Sequence, residues 1–214
     1  MKNLISTIVL AVLFLGCSES NTSTDEPQLQ TNDTFYKGMD LSFQSELEDY
    51  DIIYKDTNGS SIDLLDFVVD NGTNLVRLKL WHTPQNGQNS LSDVKQYAQR
   101  IKAKNIDFLL DFHYSDTWAD PGAQAPPTAW QGMDNQQIRV AIYDYTKEVV
   151  QQLKDQNTLP KIIQIGNETD SGFLWNYGRV WDSFSSNWPN YAILVSEAIR
   201  AIREIDTENS VQIM

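Results

Sequence analysis

Apolar positions along this chain recur with two alternating periods. In NLVRLKLW, residues 74–81, Val76, Leu78 and Leu80 alternate with Arg77, Lys79 and Trp81; in IDFLLDFHY, residues 106–114, Phe108, Leu110 and Phe112 alternate with Asp107, Leu109, Asp111 and His113. A period of two marks a strand with two unlike faces. In SLSDVKQYAQRIKAKN the period changes, and Leu91, Val94, Ala98 and Ile101 fall on one helical face. DNQQIRVAIYDYTKEVVQQLKDQ carries Ile138, Ile142, Tyr145, Val149 and Leu153 at helical intervals, and opens with Asp134 and Gln137 at capping-box spacing. FYKGMDLSF and KIIQIGNE read as further strands, and SIDLLDFVVDNG as a helix closed by Gly72. A last helix from about Pro189 carries Leu194, Ala198, Ile202 and Ile205, and SVQIM starts a fifth strand.

Strand and helix repeating in this order predict parallel βαβ units of an α/β fold. An open doubly wound sheet and a closed eight-stranded barrel both fit that order. Strands buried between two helix layers tend to be apolar on both faces, and these are not. One face turns polar toward the strand's C-terminal end, as where strands deliver side chains to the mouth of a barrel. Ion pairing inside an ordinary α/β sheet is the alternative.

Residues 1–17 read as a targeting segment. Lys2 precedes an apolar stretch from Leu4 to Leu15, too short for the ~20 residues that span a bilayer. LFLGC resembles the lipobox of bacterial lipoproteins, which implies that Cys17, the only cysteine, is acylated; an ordinary cleaved signal with an incidental cysteine is the other reading. Residues 18–34, SESNTSTDEPQLQTNDT, are polar, acidic and aperiodic, and read as a flexible tether. The domain is expected to begin at Phe35.

Composition removes several function classes. With 16 Lys and Arg against 29 Asp and Glu, a formal net charge of -13, and no basic run, the chain is not built to bind nucleic acid. No phosphate-binding glycine loop, zinc-ligand cysteine pattern or serine nucleophile elbow is present, and no cofactor or catalytic metal is indicated. Six Trp, nine Tyr and eight Phe cluster near turns in the middle third, where they serve either as core or as flat platforms for an uncharged ligand.

GMDLSF, NLVRLKLWHTP, LLDFHYSDTWADPG and IIQIGNET with its downstream GFLW resemble, in order and spacing, glycoside hydrolase family 53, the endo-β-1,4-galactanases. The resemblance runs from about Tyr36 to Met214. It implies a (β/α)8 TIM barrel that cleaves β-1,4-galactan, the side chains of pectic arabinogalactan, with retention of configuration. Retention requires two carboxyl groups ~5–5.5 Å apart, one acid/base and one nucleophile. By resemblance Glu168 is the acid/base, Asn167 its neighbour on the sugar hydroxyl, and Arg77 the arginine that keeps the nucleophile charged. An acid of this kind calls for apolar surroundings or a nearby negative charge. Taken alone, a glutamate ending a strand is more often a surface charge or a member of an ion pair.

Asp40 and His113 end strands one and three and are expected to face the cleft, although His113 also suits a structural role on a backbone carbonyl. Asp116, Trp118 and Trp175 fall in loops where sugar-binding residues belong. His82 reads as exposed, and Asp120 before Pro121 as a turn residue. In the family the nucleophile ends the seventh strand, and no Asp or Glu of this chain takes its place by resemblance. The chain therefore reads as the first four βα units and the start of a fifth strand. Two functions follow: a galactanase lacking its later strands, or a non-catalytic galactan-binding lipoprotein held at a bacterial outer membrane or cell surface through Cys17.

Overall fold

The computed structural model describes residues 35–181 and 186–214; Cys17 and both N-terminal segments lie outside them. Strands β1 (Gly38–Asp40), β2 (Leu75–Leu80), β3 (Asp107–Phe112), β4 (Ile162–Ile165) and β5 (Gln212–Ile213) form one parallel sheet in sequential order. A doubly wound sheet reverses its order at a switch point, whereas a barrel adds each strand beside the last. The sequential order is that of a (β/α)8 barrel. In register, Asp40 stands beside Arg77, Lys79 beside Asp111, and Phe112 beside Ile165.

Five helices connect and cover these strands: α1 (Gln44–Asp49), α2 (Leu64–Asp70), α3 (Leu91–Ala103), α4 (Asn135–Asp155) and α5 (Trp188–Ile205). Their starts follow from the sequence. Asp63 caps α2 and Ser90 caps α3 by accepting backbone N–H bonds, and Asp134 with Gln137 completes the expected capping box on α4. Gly72, just past α2, adopts φ +96°, which a side chain would oppose.

The two faces of the sheet separate as the alternation predicts. Val76, Leu78, Leu80, Phe108, Leu110, Phe112 and Ile163 join the buried faces of the helices in one core, where each large side chain contributes about 1.5–3 kcal/mol. The opposite face is layered. Leu75, Leu109 and Ile162 pack together with Tyr36 at its lower end, and polar residues begin one pleat higher with Arg77 and Asp111.

Three elements differ from expectation. The first strand is three residues long rather than the span FYKGMDLSF. Helix α1 follows it unheralded, because QSELED holds one apolar residue and no period can be read. After β4, Gly172–Phe173 and Gly178–Arg179 form a small antiparallel hairpin around Trp175, which was expected in a loop.

Candidate active site

Parallel strands carry their C-terminal residues to one rim, and four of them converge here on Arg77. Its Nη2 donates to Asp111 Oδ2 at 2.6 Å and to Asn167 Oδ1 at 2.8 Å, while Nη1 pairs with the Asp40 carboxylate. Residues from β1, β2, β3 and the end of β4 are thereby joined by one planar cation. A rigid guanidinium suits this, since its donors point in fixed directions. Burial alone would raise the Asp40 carboxyl, but hydrogen bonds from Ser42 and Arg77 outweigh it and hold the group below its ordinary value.

Asp111, on β3, and His113, just past its end, flank this hub, and both side chains are fully buried. His113 Nδ1 accepts from the Trp81 indole at 3.3 Å and from the Ala119 backbone N–H at 3.1 Å. The ring proton therefore sits on Nε2, which lies 3.0 Å from Asp111 Oδ2 without a hydrogen bond between them. His113 is buried rather than open to the cleft, and it receives backbone N–H instead of donating to a carbonyl.

Beyond Ile165 the chain turns sharply. Gly166 takes φ +83°, and a Cβ there would lie 2.5 Å from Thr169 Cγ2. Asn167 is buried; its Nδ2 donates to Ala119 O at 2.7 Å while Oδ1 accepts from Arg77. An amide has two N–H groups and two lone pairs, so one of each stays free for a ligand hydroxyl. Glu168 follows in the left-handed region, φ 49° and ψ 53°, with its carboxyl exposed. Non-glycine residues hold this conformation at a cost, and such strain gathers at functional sites. Gln124 anchors both residues through Nε2, which donates to the main-chain oxygens of Asn167 at 2.8 Å and Glu168 at 3.2 Å. The enclosure that the acid/base role calls for is thus absent among the described residues, because Glu168 stands near the sheet edge where only β5 follows.

The loop residues divide. Trp118 is 40% exposed and stacks with Phe43. Trp175 is half-buried, its indole donating to Ser171 O at 3.3 Å and Arg179 lying over its ring. Asp116 has both oxygens engaged by backbone N–H groups, from Thr83 at 3.0 Å and Thr128 at 2.8 Å, so it ties loops together. His82 packs against Trp130 and Tyr145, and burial lowers its pKa. Asp120 makes the turn, accepting from Gly122 N at 2.7 Å. The sequence reading gave no role to Asp111, Lys79 or Gln124. Alternation already placed the first two on the polar face, whereas nothing marked Gln124. Among the described residues no group of three or more His, Cys, Asp or Glu could hold a metal ion, and no helix is long and apolar enough to cross a membrane.

Comparison with known proteins agrees with the barrel order of the sheet. The profile of Glycosyl hydrolase family 53 matches residues 36–214. An uncharacterized protein of Niallia circulans is 38% identical over 85% of this chain and 50% of its own length. An arabinogalactan endo-beta-1,4-galactanase of Cellvibrio japonicus is 35% identical over 92% of this chain and 51% of its own. The solved family 53 catalytic domain of Ignisphaera aggregans is 34% identical with a TM-score of 0.76, covering 84% of this chain and 50% of that one. The chain spans about half the length of the curated relatives it matches, and its sheet and helices correspond to about half of a (β/α)8 barrel. By sequence profile, identity and fold, the chain belongs to glycosyl hydrolase family 53.

Proposed function

We propose that this chain carries the acid/base half of a site that hydrolyses β-1,4-galactan internally and with retention. The observation that carries this is the Asn167–Glu168 pair: a buried amide fixed by Arg77 and Ala119, followed by an exposed carboxyl held in a strained backbone at the end of β4. Glu168 would donate its proton to the leaving glycosidic oxygen as that bond breaks. A second carboxylate would attack the anomeric carbon from the opposite face, and Glu168, then a base, would activate the water that releases the sugar. By the family pattern that nucleophile ends a seventh strand, and the sheet described here has five.

The resulting test is release of reducing ends from β-1,4-galactan, by the 214-residue chain and by the same chain joined to the remaining strands of a barrel. Cleavage is expected only from the longer protein. Galactan binding without turnover in both would support the non-catalytic binding reading instead. Robust turnover by the 214-residue chain would show that its own residues supply the nucleophile.

The N-terminal segments suggest where this happens. Acylation of Cys17 would tether the domain through residues 18–34 at a bacterial outer membrane or cell surface, close to polysaccharide outside the cell. Replacing Cys17 by Ala should then release the protein from the membrane fraction, and equal partitioning of both forms would remove the anchor.

A further inference from the structure

Lys79 projects from β2 and is 1% exposed, yet its Nζ has no hydrogen-bond partner. Aromatic rings surround it instead. Nζ lies 3.1 Å from the centroid of Phe43, 4.9 Å from that of Trp118 and 5.2 Å from that of Trp81. A desolvated ammonium held over ring faces is attracted to them electrostatically. Phe43 and Trp118 lie almost parallel, 12° apart in plane with centroids 6.3 Å apart. Both keep a large share of their surface in water, 47% and 40%.

Beside them opens a cavity of about 930 Å³, walled by Phe43 and Trp81 and rimmed by Glu46, Gln85, Asn86 and Gln88. Its lining has no Lys or Arg, and of its two carboxylates Asp116 is engaged by backbone N–H groups; the amides and Glu46 offer the hydroxyl groups of an uncharged ligand both donors and acceptors. The cavity is formed by loops after β1, β2 and β3, whereas Glu168 follows β4. Two strand spacings separate β2 from β4, roughly 10 Å at ~4.8 Å each. Only an extended ligand reaches from one to the other.

We propose that Phe43 and Trp118, held together by the Lys79 side chain beneath them, form a stacking platform for a galactosyl residue of a chain whose scissile bond lies at Glu168. Galactose, with its axial hydroxyl, presents one face made mostly of C–H bonds, which packs on an aromatic ring. The platform rests on the galactan reading and deepens it, because it makes recognition depend on chain length. Lys79 is a positioning residue here, touching the rings and not the sugar.

Titration calorimetry of the 214-residue chain with β-1,4-galactobiose and β-1,4-galactohexaose tests this. In the wild type the hexaose binds more tightly than the biose. Phe43→Ala should weaken the hexaose about threefold to tenfold, and the loss should fall on the hexaose rather than the biose. Phe43→Tyr should keep the length dependence. Lys79→Met should lose it and Lys79→Arg restore it. Equal losses for both ligands, or none, would overturn the platform, as would a wild type that gains nothing from length. A wild type that binds neither ligand would overturn the galactan reading itself and the platform with it.

Discussion

Arg77 and Asn167, 90 positions apart in the chain, meet at 2.8 Å, the guanidinium donating to the side-chain oxygen. The same nitrogen donates to Asp111, whose side chain is fully buried. One cation therefore both orients the residue before Glu168 and neutralises a carboxylate that water cannot reach.

Removing that cation should be costly in a specific way. Arg77→Met leaves Asp111 as an uncompensated buried charge, which typically costs about 3–5 kcal/mol. Adding Asp111→Asn should recover much of the loss, since no charge is then stranded. Denaturant unfolding of both single variants and the double variant measures the coupling. Simple additivity would mean that the two groups do not act as a pair.

Gly166 sets the direction of the chain into Asn167 and Glu168. Gly166→Ala forces a side chain into the left-handed region, at roughly 1–2 kcal/mol, and drives its Cβ against Thr169. Thr169 is itself held by Tyr191 at 3.1 Å, so the turn must yield. Lower stability together with weaker galactan binding is expected. A variant with wild-type stability would show that the turn has room the geometry denies.

Much of this was legible in the sequence, for reasons of period. Arg77 and Leu78 point to opposite faces because strand side chains alternate, and the pattern fixed that without any contact being known. Asp111 was visible as a polar residue on the right face, but its buried pairing with Arg77 depends on the register of β2 with β3, which periodicity does not carry. Gln124 was hidden altogether, since it acts on main-chain oxygens 43 and 44 positions away and main-chain partners leave no mark on residue type. The cage around Lys79 was hidden for a third reason. Phe43 caps a six-residue helix too short and too polar to show a period.

Lys79 should make stability depend on pH. Burial pushes its ammonium down to about 8, against the attraction of Asp40, Glu46 and Asp111 and with repulsion from Arg77; the unfolded value is about 10.4. Below pH 8 both states are protonated and the burial penalty is complete. Between about 8 and 10.4 the unfolded chain binds more protons than the folded one, so this residue's contribution to stability rises with pH. Relative to Lys79→Met, which lacks the titrating group, the wild type should gain stability from pH 7 to 10. A constant difference would mean that Lys79 keeps its proton throughout.

The most direct measurement concerns Glu168 as the acid. In a protein carrying the complete barrel, turnover by the wild type and by Glu168→Gln should be compared on galactan and on an aryl galactoside whose leaving group is strongly acidic. An amide cannot supply the proton, so galactan cleavage should fall by about 10² to 10⁴. The activated substrate needs little protonation to depart, and bond cleavage there should fall far less. That split between the two substrates is the result expected of a general acid. Full activity of Glu168→Gln on galactan, or an equal loss on both substrates, would show that Glu168 does not donate the proton.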